Sequence, residues 1–168
     1  MARAKNGSID AFEQILYAYE KQIFSYLFRH TGHYQEAEDL TQDTFLKAYS
    51  HIDALNLDKS FRAWLYTIAT HTLYDWLRRK RLRREFYILD DPTHPVETID
   101  ESRPYESIET TDAVERTLLK LKPEYQTVLL LYYTHELRYS DIAAVLNLPV
   151  NTVKTYLRRA HLAFKHRY

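Results

Sequence analysis

No cysteine occurs in this 168-residue chain, which excludes disulfides, thiolate zinc sites, iron–sulfur clusters and cysteine nucleophiles. Glycine is almost as scarce, and the two present, Gly7 and Gly32, both precede residue 33. That excludes Gly-rich phosphate loops and dinucleotide fingerprints, along with the turn signals of an all-β fold. Long apolar runs are also missing. The longest, Val128 to Tyr133, falls far short of the roughly 20 residues that cross a bilayer, so no membrane insertion is expected. The residues after Met1 lead into no apolar signal-peptide core, and a cytoplasmic location is expected. Net charge is absent as well, because 23 basic and 23 acidic residues cancel.

The cancellation conceals an uneven distribution. Residues 1–50 carry 5 bases and 7 acids, residues 51–84 carry 8 and 3, residues 85–112 carry 1 and 9, and residues 113–168 carry 9 and 4. Two basic blocks thus flank a strongly acidic one, an asymmetry that bears on partners. The acidic block also holds Pro92, Pro95 and Pro104 and lacks apolar periodicity. With little to bury and much charge it reads as a flexible or extended linker. The expected organisation is a first domain over 1–84, an acidic linker over 85–111 and a second domain over 112–168, with no internal repeat.

Both domains read as helical, giving an all-α fold of two small domains. Phe12, Ile15, Leu16, Tyr19, Ile23 and Leu27 recur at spacings of three and four and form one apolar stripe. Ala37, Leu40, Thr44 and Ala48 form a second, and Phe61, Leu65, Ile68, Thr72 and Trp76 a third. Gly32 separates the first two helices. The stretch 52–60 separates the next two, with Ser60 as a cap. In the second domain Val114, Leu118 and Leu121 make a short stripe, and Pro123 suits a helix start. Ser140 is a plausible cap for a short helix ending at Asn147, a residue that tolerates the left-handed conformation. Asn151 can cap a last helix with the apolar stripe Val153, Leu157, Ala160 and Phe164. A short helix, a tight turn and an amphipathic helix make a helix-turn-helix.

Three surfaces stand out. On the last helix, Thr152, Lys154, Thr155, Arg158 and Arg159 turn away from the apolar stripe. They read either as a solvated basic face or as a DNA-reading face, since Arg and Lys bond guanine edges and phosphates while Thr and Asn reach bases or backbone. On the helix from Phe61 to Arg84, the outward side carries Trp64, Thr67, His71, Tyr74, Asp75 and Arg78, followed by Arg79, Lys80 and Arg81. Aromatics among bases suit unstacked DNA; equally, Trp64 and Tyr74 can pack on neighbouring helices. Phe61 fits either core or stacking position. The third surface is Glu36, Glu38, Asp39, Gln42 and Asp43. It reads as a favourable helix N-terminus or as a docking face for a basic partner. No nucleophile–base pair or metal-ligand set accompanies these surfaces. The spacing His30-x-x-His33 with Glu36 is interrupted by Gly32. No enzymatic activity, cofactor or metal is expected.

These surfaces, in this order, resemble a bacterial sigma factor of the sigma-70 family. The small size points to the extracytoplasmic-function (ECF) group, which keeps regions 2 and 4. The run from Glu36 to Tyr49 is similar to region 2.2. Phe61 to Ala69 with Asp75 to Arg79 resembles regions 2.3 and 2.4. Tyr139 to Ala143, Leu148 to Lys154 and Leu157 to Ala160 resemble region 4.2. The resemblance implies a transcription initiation factor with two main partners, core RNA polymerase and promoter DNA. It assigns Asp39, Gln42 and Asp43 to the coiled-coil of the polymerase β′ clamp. Phe61, Trp64, His71, Arg78 and Arg79 fall to the −10 element. The loop 52–60 shapes a pocket for a flipped base, whose unstacking costs about a few kcal/mol. Asn151, Thr152, Lys154, Thr155, Arg158 and Arg159 fall to the −35 element, and the helices from Val114 to Tyr133 to the β flap. An anti-sigma factor is a further implied partner. Two departures from the family pattern occur: Thr70-His71 stands where an Ala-Arg-Asn pattern ends in Asn, and Asn151 stands where Gly usually precedes Thr-Val-Lys. The alternative reading is a stand-alone helix-turn-helix regulator with an N-terminal helical sensor or dimerisation domain.

Overall fold

Helix boundaries follow local chemistry closely at most positions. In the computed structural model, which describes Lys5, residues 8–90 and residues 113–168 (side chains to residue 83 in the first long segment), the first helix, α1, spans Ile9–Thr31. Ser8 caps it, its Oγ accepting from the Ala11 N–H at 3.3 Å. Gly32 ends it in the left-handed conformation at φ 69°, donating its N–H to the Phe28 carbonyl. A Cβ at that φ would meet the following carbonyl, so glycine serves here. Helix α2 spans Tyr34–Ser50, a single turn of 3-10 helix covers Ile52–Ala54, and α3 runs from Phe61 to Asp90. Ser60 caps α3 as its sequence position implies, accepting from the Ala63 N–H at 3.1 Å.

The second domain holds α4 (Ala113–Leu119), α5 (Pro123–Leu129), α6 (Tyr139–Leu146) and α7 (Val150–Lys165). Pro123 occupies the start of α5, where its missing N–H costs nothing. Asn147 closes α6 at φ 52°, and the Leu148 N–H reaches back to the Ala143 carbonyl at 3.0 Å. That six-to-one bond is the Schellman closure expected of a left-handed C-terminal residue. Two expected caps differ. Helix α6 begins at Tyr139 after Arg138, and α7 at Val150 after Pro149, in both cases without a side-chain cap bond. Ser140 and Asn151 therefore lie within the first turns of their helices. In α7 the fixed φ of Pro149 sets the entry angle instead.

Helix α3 continues to Asp90, six residues into the stretch that composition assigns to the linker. The rest of the proposed acidic linker lies outside the described residues. Among the described residues there is no strand, and no helix is long and apolar enough to cross a membrane.

The core is continuous through both domains. Ile23, Leu27, Leu40, Leu65 and Leu73 are buried in the first, and Val128, Leu131, Ile142, Val145 and Val153 in the second. Helix α3 is buried on two sides. One side meets α2, as its apolar stripe implies. The other meets α6, while α1 meets α4 and α5. This second seam is polar. The Tyr66 hydroxyl bonds His135 Nδ1 at 2.7 Å, and Tyr74 donates to Thr127 Oγ1 at 3.1 Å. Thr127 Oγ1 lies 3.4 Å from His30 Nε2, and Gln126 donates to the Arg29 carbonyl at 2.5 Å. Tyr26 packs edge-on against Tyr66, His30 and His135, with its hydroxyl 2.8 Å from Thr70 Oγ1. At its rim Arg29 pairs with Glu115 at 3.7 Å.

His135 reaches this seam through irregular backbone. A wider, π-type turn covers Leu130–Thr134 and closes with a His135 N–H to Leu130 carbonyl bond of 3.0 Å. Glu136 then adopts φ 51°, an uncommon left-handed state for a residue with a Cβ. Together these swing the His135 ring inward.

Leu73 is fully buried on α3. Leu73→Ala is expected to cost about 2–5 kcal/mol, read as a lower urea midpoint in far-UV circular dichroism.

Candidate polymerase and nucleic-acid interfaces

Helix α2 shows why its acids are not all equivalent. Ala37, Leu40, Thr41, Thr44, Phe45 and Ala48 face the core, with the Thr41 and Thr44 hydroxyls donating to the carbonyls four residues back. The opposite stripe exposes Gln35, Asp39, Gln42, Asp43 and Leu46. Gln35 steadies this face by donating to Asp39 Oδ1 at 3.3 Å and Glu38 Oε2 at 3.4 Å. Asp39, Gln42 and Asp43 are thus presented together to solvent. Glu36 is not among them: it turns to α3, where it accepts from Lys80 Nζ at 3.3 Å. Lys47 also faces α3 and donates to Thr72 Oγ1 at 3.1 Å. Exposed Leu46, which charge-based reading passes over, extends the stripe by one turn.

On α3, Phe61, Trp64, Ile68, His71, Asp75 and Arg78 are spaced three and four apart and share one face, about 25 Å long at 1.5 Å per residue. His71, Arg78 and Arg79 are exposed, while Phe61 and Trp64 are half-buried. Phe61 packs edge-on against Tyr19, ring centres 5.5 Å apart, and tilts onto Trp64 at the same distance. It is therefore both a core-edge residue and reachable from outside. Arg78 pairs with Asp75 at 3.2 Å, an exposed contact of small energetic weight. Two members of the basic–aromatic surface belong elsewhere. Tyr74 bonds Thr127 across the seam, where burial pushes its phenol up to about 12. Lys80 sits over the Trp76 ring at 4.5 Å and on Glu36.

The loop before α3 is anchored rather than loose. Ile52 and Leu55 are buried, and Lys5 Nζ donates to the Leu55 carbonyl at 2.6 Å. Asn56 folds the loop back, its Oδ1 accepting from the Asp58 N–H at 2.9 Å, a turn asparagine forms readily. Leu57 is left exposed beside the start of α3.

On α7, Val153, Leu157 and Ala160 are buried and Asn151, Lys154, Thr155, Arg158 and Arg159 are exposed, with Thr152 half-buried. Thr155 Oγ1 is spent on the Asn151 carbonyl at 3.0 Å. Lys154 leans toward the Tyr139 ring, 5.9 Å away, and Tyr139 itself stacks on Tyr132 at 5.1 Å. The exposed face of α7 thus rests on an aromatic step that the sequence alone does not reveal.

Residues 16–83 match the sequence profile of sigma-70 region 2, and residues 111–162 that of sigma-70 region 4. The chain is 34% identical over 174 residues to the ECF RNA polymerase sigma factor SigW of Bacillus subtilis, covering 97% of this chain and 91% of that protein. The chain belongs to the ECF sigma factors. A second Bacillus subtilis relative, the RNA polymerase sigma factor YlaC, is 38% identical over 157 residues, 93% of this chain and 91% of its own length. The fold matches that of the sigma factor RpoE from Bartonella quintana, solved with the anti-sigma factor NepR, at a TM-score of 0.75 and 22% identity over 95% of this chain and 97% of that one. It also matches CnrH, solved with the cytosolic domain of CnrY, at a TM-score of 0.71 and 23% identity over 98% and 92% of the two chains. The protein is a transcription initiation sigma factor, and a stand-alone regulator is not favoured.

Among the described residues no group of three His, Cys, Asp or Glu side chains converges as a metal site. His30 turns into the seam and Glu36 onto Lys80. Because Asp39, His71 and Arg159 are exposed, replacing each by Ala should shift stability by no more than about 0.5 kcal/mol. Urea titration of the three variants checks this.

Proposed function

We propose that this sigma factor holds core RNA polymerase through the α2 face of Asp39, Gln42 and Asp43, which meets the basic surface of the β′ clamp coiled-coil. Helix α3 then reads the −10 element with Phe61, Trp64, His71, Arg78 and Arg79, and the anchored loop 52–60 borders a pocket for a base drawn from the stack. Helix α7 reads the −35 element with Asn151, Thr152, Lys154, Thr155, Arg158 and Arg159. The helices from Val114 to Tyr133 meet the β flap. One observation carries this reading: three chemically distinct exposed faces lie on three helices in chain order, each backed by a buried apolar stripe.

The chemistry suits each task. An acid–amide face recognises a basic helix through complementary potential. Rings beside cations suit a strand whose bases are unstacked. A short basic helix following a tight turn suits the major groove. Binding and base capture need no nucleophile or cofactor, so the factor acts without catalysis of its own. Working on polymerase and promoter DNA, it acts in the cytoplasm. The sigma factor RpoE, similar in fold and solved with an anti-sigma factor, supports an anti-sigma factor as a regulator here too.

Asp39→Ala should weaken binding to core polymerase by about 2 kcal/mol or more, read by competition with a labelled sigma factor. Normal competition removes Asp39 from the face. Arg159→Ala should weaken −35 recognition by about 1–3 kcal/mol in holoenzyme binding to promoter DNA. An unchanged affinity removes Arg159 from the reading set.

A further inference from the structure

We propose that Lys5 and Tyr19 are positioning residues for promoter opening: they hold the two ends of the loop before α3, so that its pocket is formed before a base enters. The inference rests on the −10 assignment above and brings the N-terminal part of the chain into the opening step. Neither residue touches DNA in this scheme. Both act through groups that do.

The start of the loop is held by a charge. Leu55 is 2% exposed, so its carbonyl needs a partner within the protein, and Lys5 Nζ donates to it at 2.6 Å. An ammonium donating to a carbonyl makes a charge-assisted bond, stronger than one between neutral groups. The two residues are 50 apart in sequence, so this tie is tertiary and not part of a local turn. The Leu55 N–H closes the preceding 3-10 turn on the Ile52 carbonyl at 3.1 Å.

The end of the loop is held by a ring. Phe61 opens α3, and it meets Tyr19 of α1 edge-on, with ring centres 5.5 Å apart and planes at 62°. In such pairs the positive edge of one ring faces the negative face of the other. The same Phe61 ring tilts onto Trp64. Tyr19, Phe61 and Trp64 therefore form a row whose inner member belongs to α1 and whose outer two are assigned to the −10 element. By spacing Tyr19 belongs to the apolar stripe of α1, yet it is half-buried where Ile23 and Leu27 are fully buried. Its ring serves the edge of the core.

Between these ties, residues 56–60 are all exposed. The Lys59 N–H bonds the Asn56 carbonyl at 3.1 Å and the Asp58 N–H bonds Asn56 Oδ1 at 2.9 Å, which makes one turn that carries Leu57 outward. A turn with exposed side chains takes its place from its ends. With loose ends, the loop would lose its freedom at the moment of capture, and that loss would subtract from the affinity for a flipped base. Capture already costs unstacking. Ends fixed beforehand remove the ordering cost from the same step.

The test uses holoenzyme assembled with the full-length factor on a promoter from which the wild type gives run-off transcripts. Opening is read as permanganate reactivity of unpaired thymines, and closed-complex affinity is measured separately at low temperature. Lys5→Met keeps the stem and loses the donor, and Tyr19→Leu keeps apolar bulk and loses the ring. Each should lower the open-to-closed ratio about threefold to tenfold, with core competition, closed-complex affinity and urea midpoint unchanged. Tyr19→Phe keeps the ring and should open the promoter as the wild type does. Phe61→Ala separates the two levels of the argument: normal opening by this variant overturns the −10 assignment itself. Impaired opening by Phe61→Ala with normal opening by Lys5→Met or Tyr19→Leu overturns the role of that residue alone. A defect that appears only together with a lowered urea midpoint or weaker core competition also overturns it, because the residue would then serve the fold and not the pocket.

Discussion

The bond between Tyr66 and His135 sets the arrangement of everything around it. A phenol and an imidazole taken out of water each need a partner, and in this interior each is the other's main one. To supply it, α5 must end in a wide turn and Glu136 must accept a left-handed backbone. Tyr26 then packs edge-on against both rings, and Thr70 satisfies the Tyr26 hydroxyl. With the Tyr74–Thr127 and Gln126–Arg29 bonds and the Arg29–Glu115 pair, this contact places the second domain on the first.

That placement also divides the charged residues into structural and available groups. Glu36, Lys47 and Lys80 clamp α2 to α3, and Lys80 is further held by the Trp76 ring. What is left on α2 is an acid–amide stripe, and on α3 an aromatic and basic one. The uneven charge along the chain therefore has two origins: part of it holds helices together, and the remainder faces outward on surfaces of opposite character.

Much of the helical pattern was legible beforehand. The stripes of α1, α2 and α7 follow spacings of three and four, and Gly32, Ser60, Pro123 and Asn147 act as their local chemistry implies. The exposed face of α7 follows directly from the position of Val153, Leu157 and Ala160. The seam was not legible. Its partners are separated by 44, 69 and 97 residues in the pairs Tyr26–Thr70, Tyr66–His135 and Thr127–His30, and a tyrosine at the edge of an apolar stripe looks the same whether it meets solvent or another domain. Tyr74, which its position leaves open between an outward aromatic and helix packing, takes the packing role here. The offset caps of α6 and α7 have a different origin. Arg138 and Pro149 enter in extended conformations that allow helix to begin before the polar residue.

Helix α3 carries a load on every side. One flank is core, a second is the seam, and a third presents Trp64, His71 and Arg78. Few of its positions are free to vary without cost to packing, to domain placement or to the outward face. The least encumbered sites are solvent-facing ones such as His71, where the residues on either side, Thr70 and Thr72, are buried. Thr70 and His71 illustrate the boundary: adjacent in sequence, one is tied to Tyr26 in the interior and the other faces solvent.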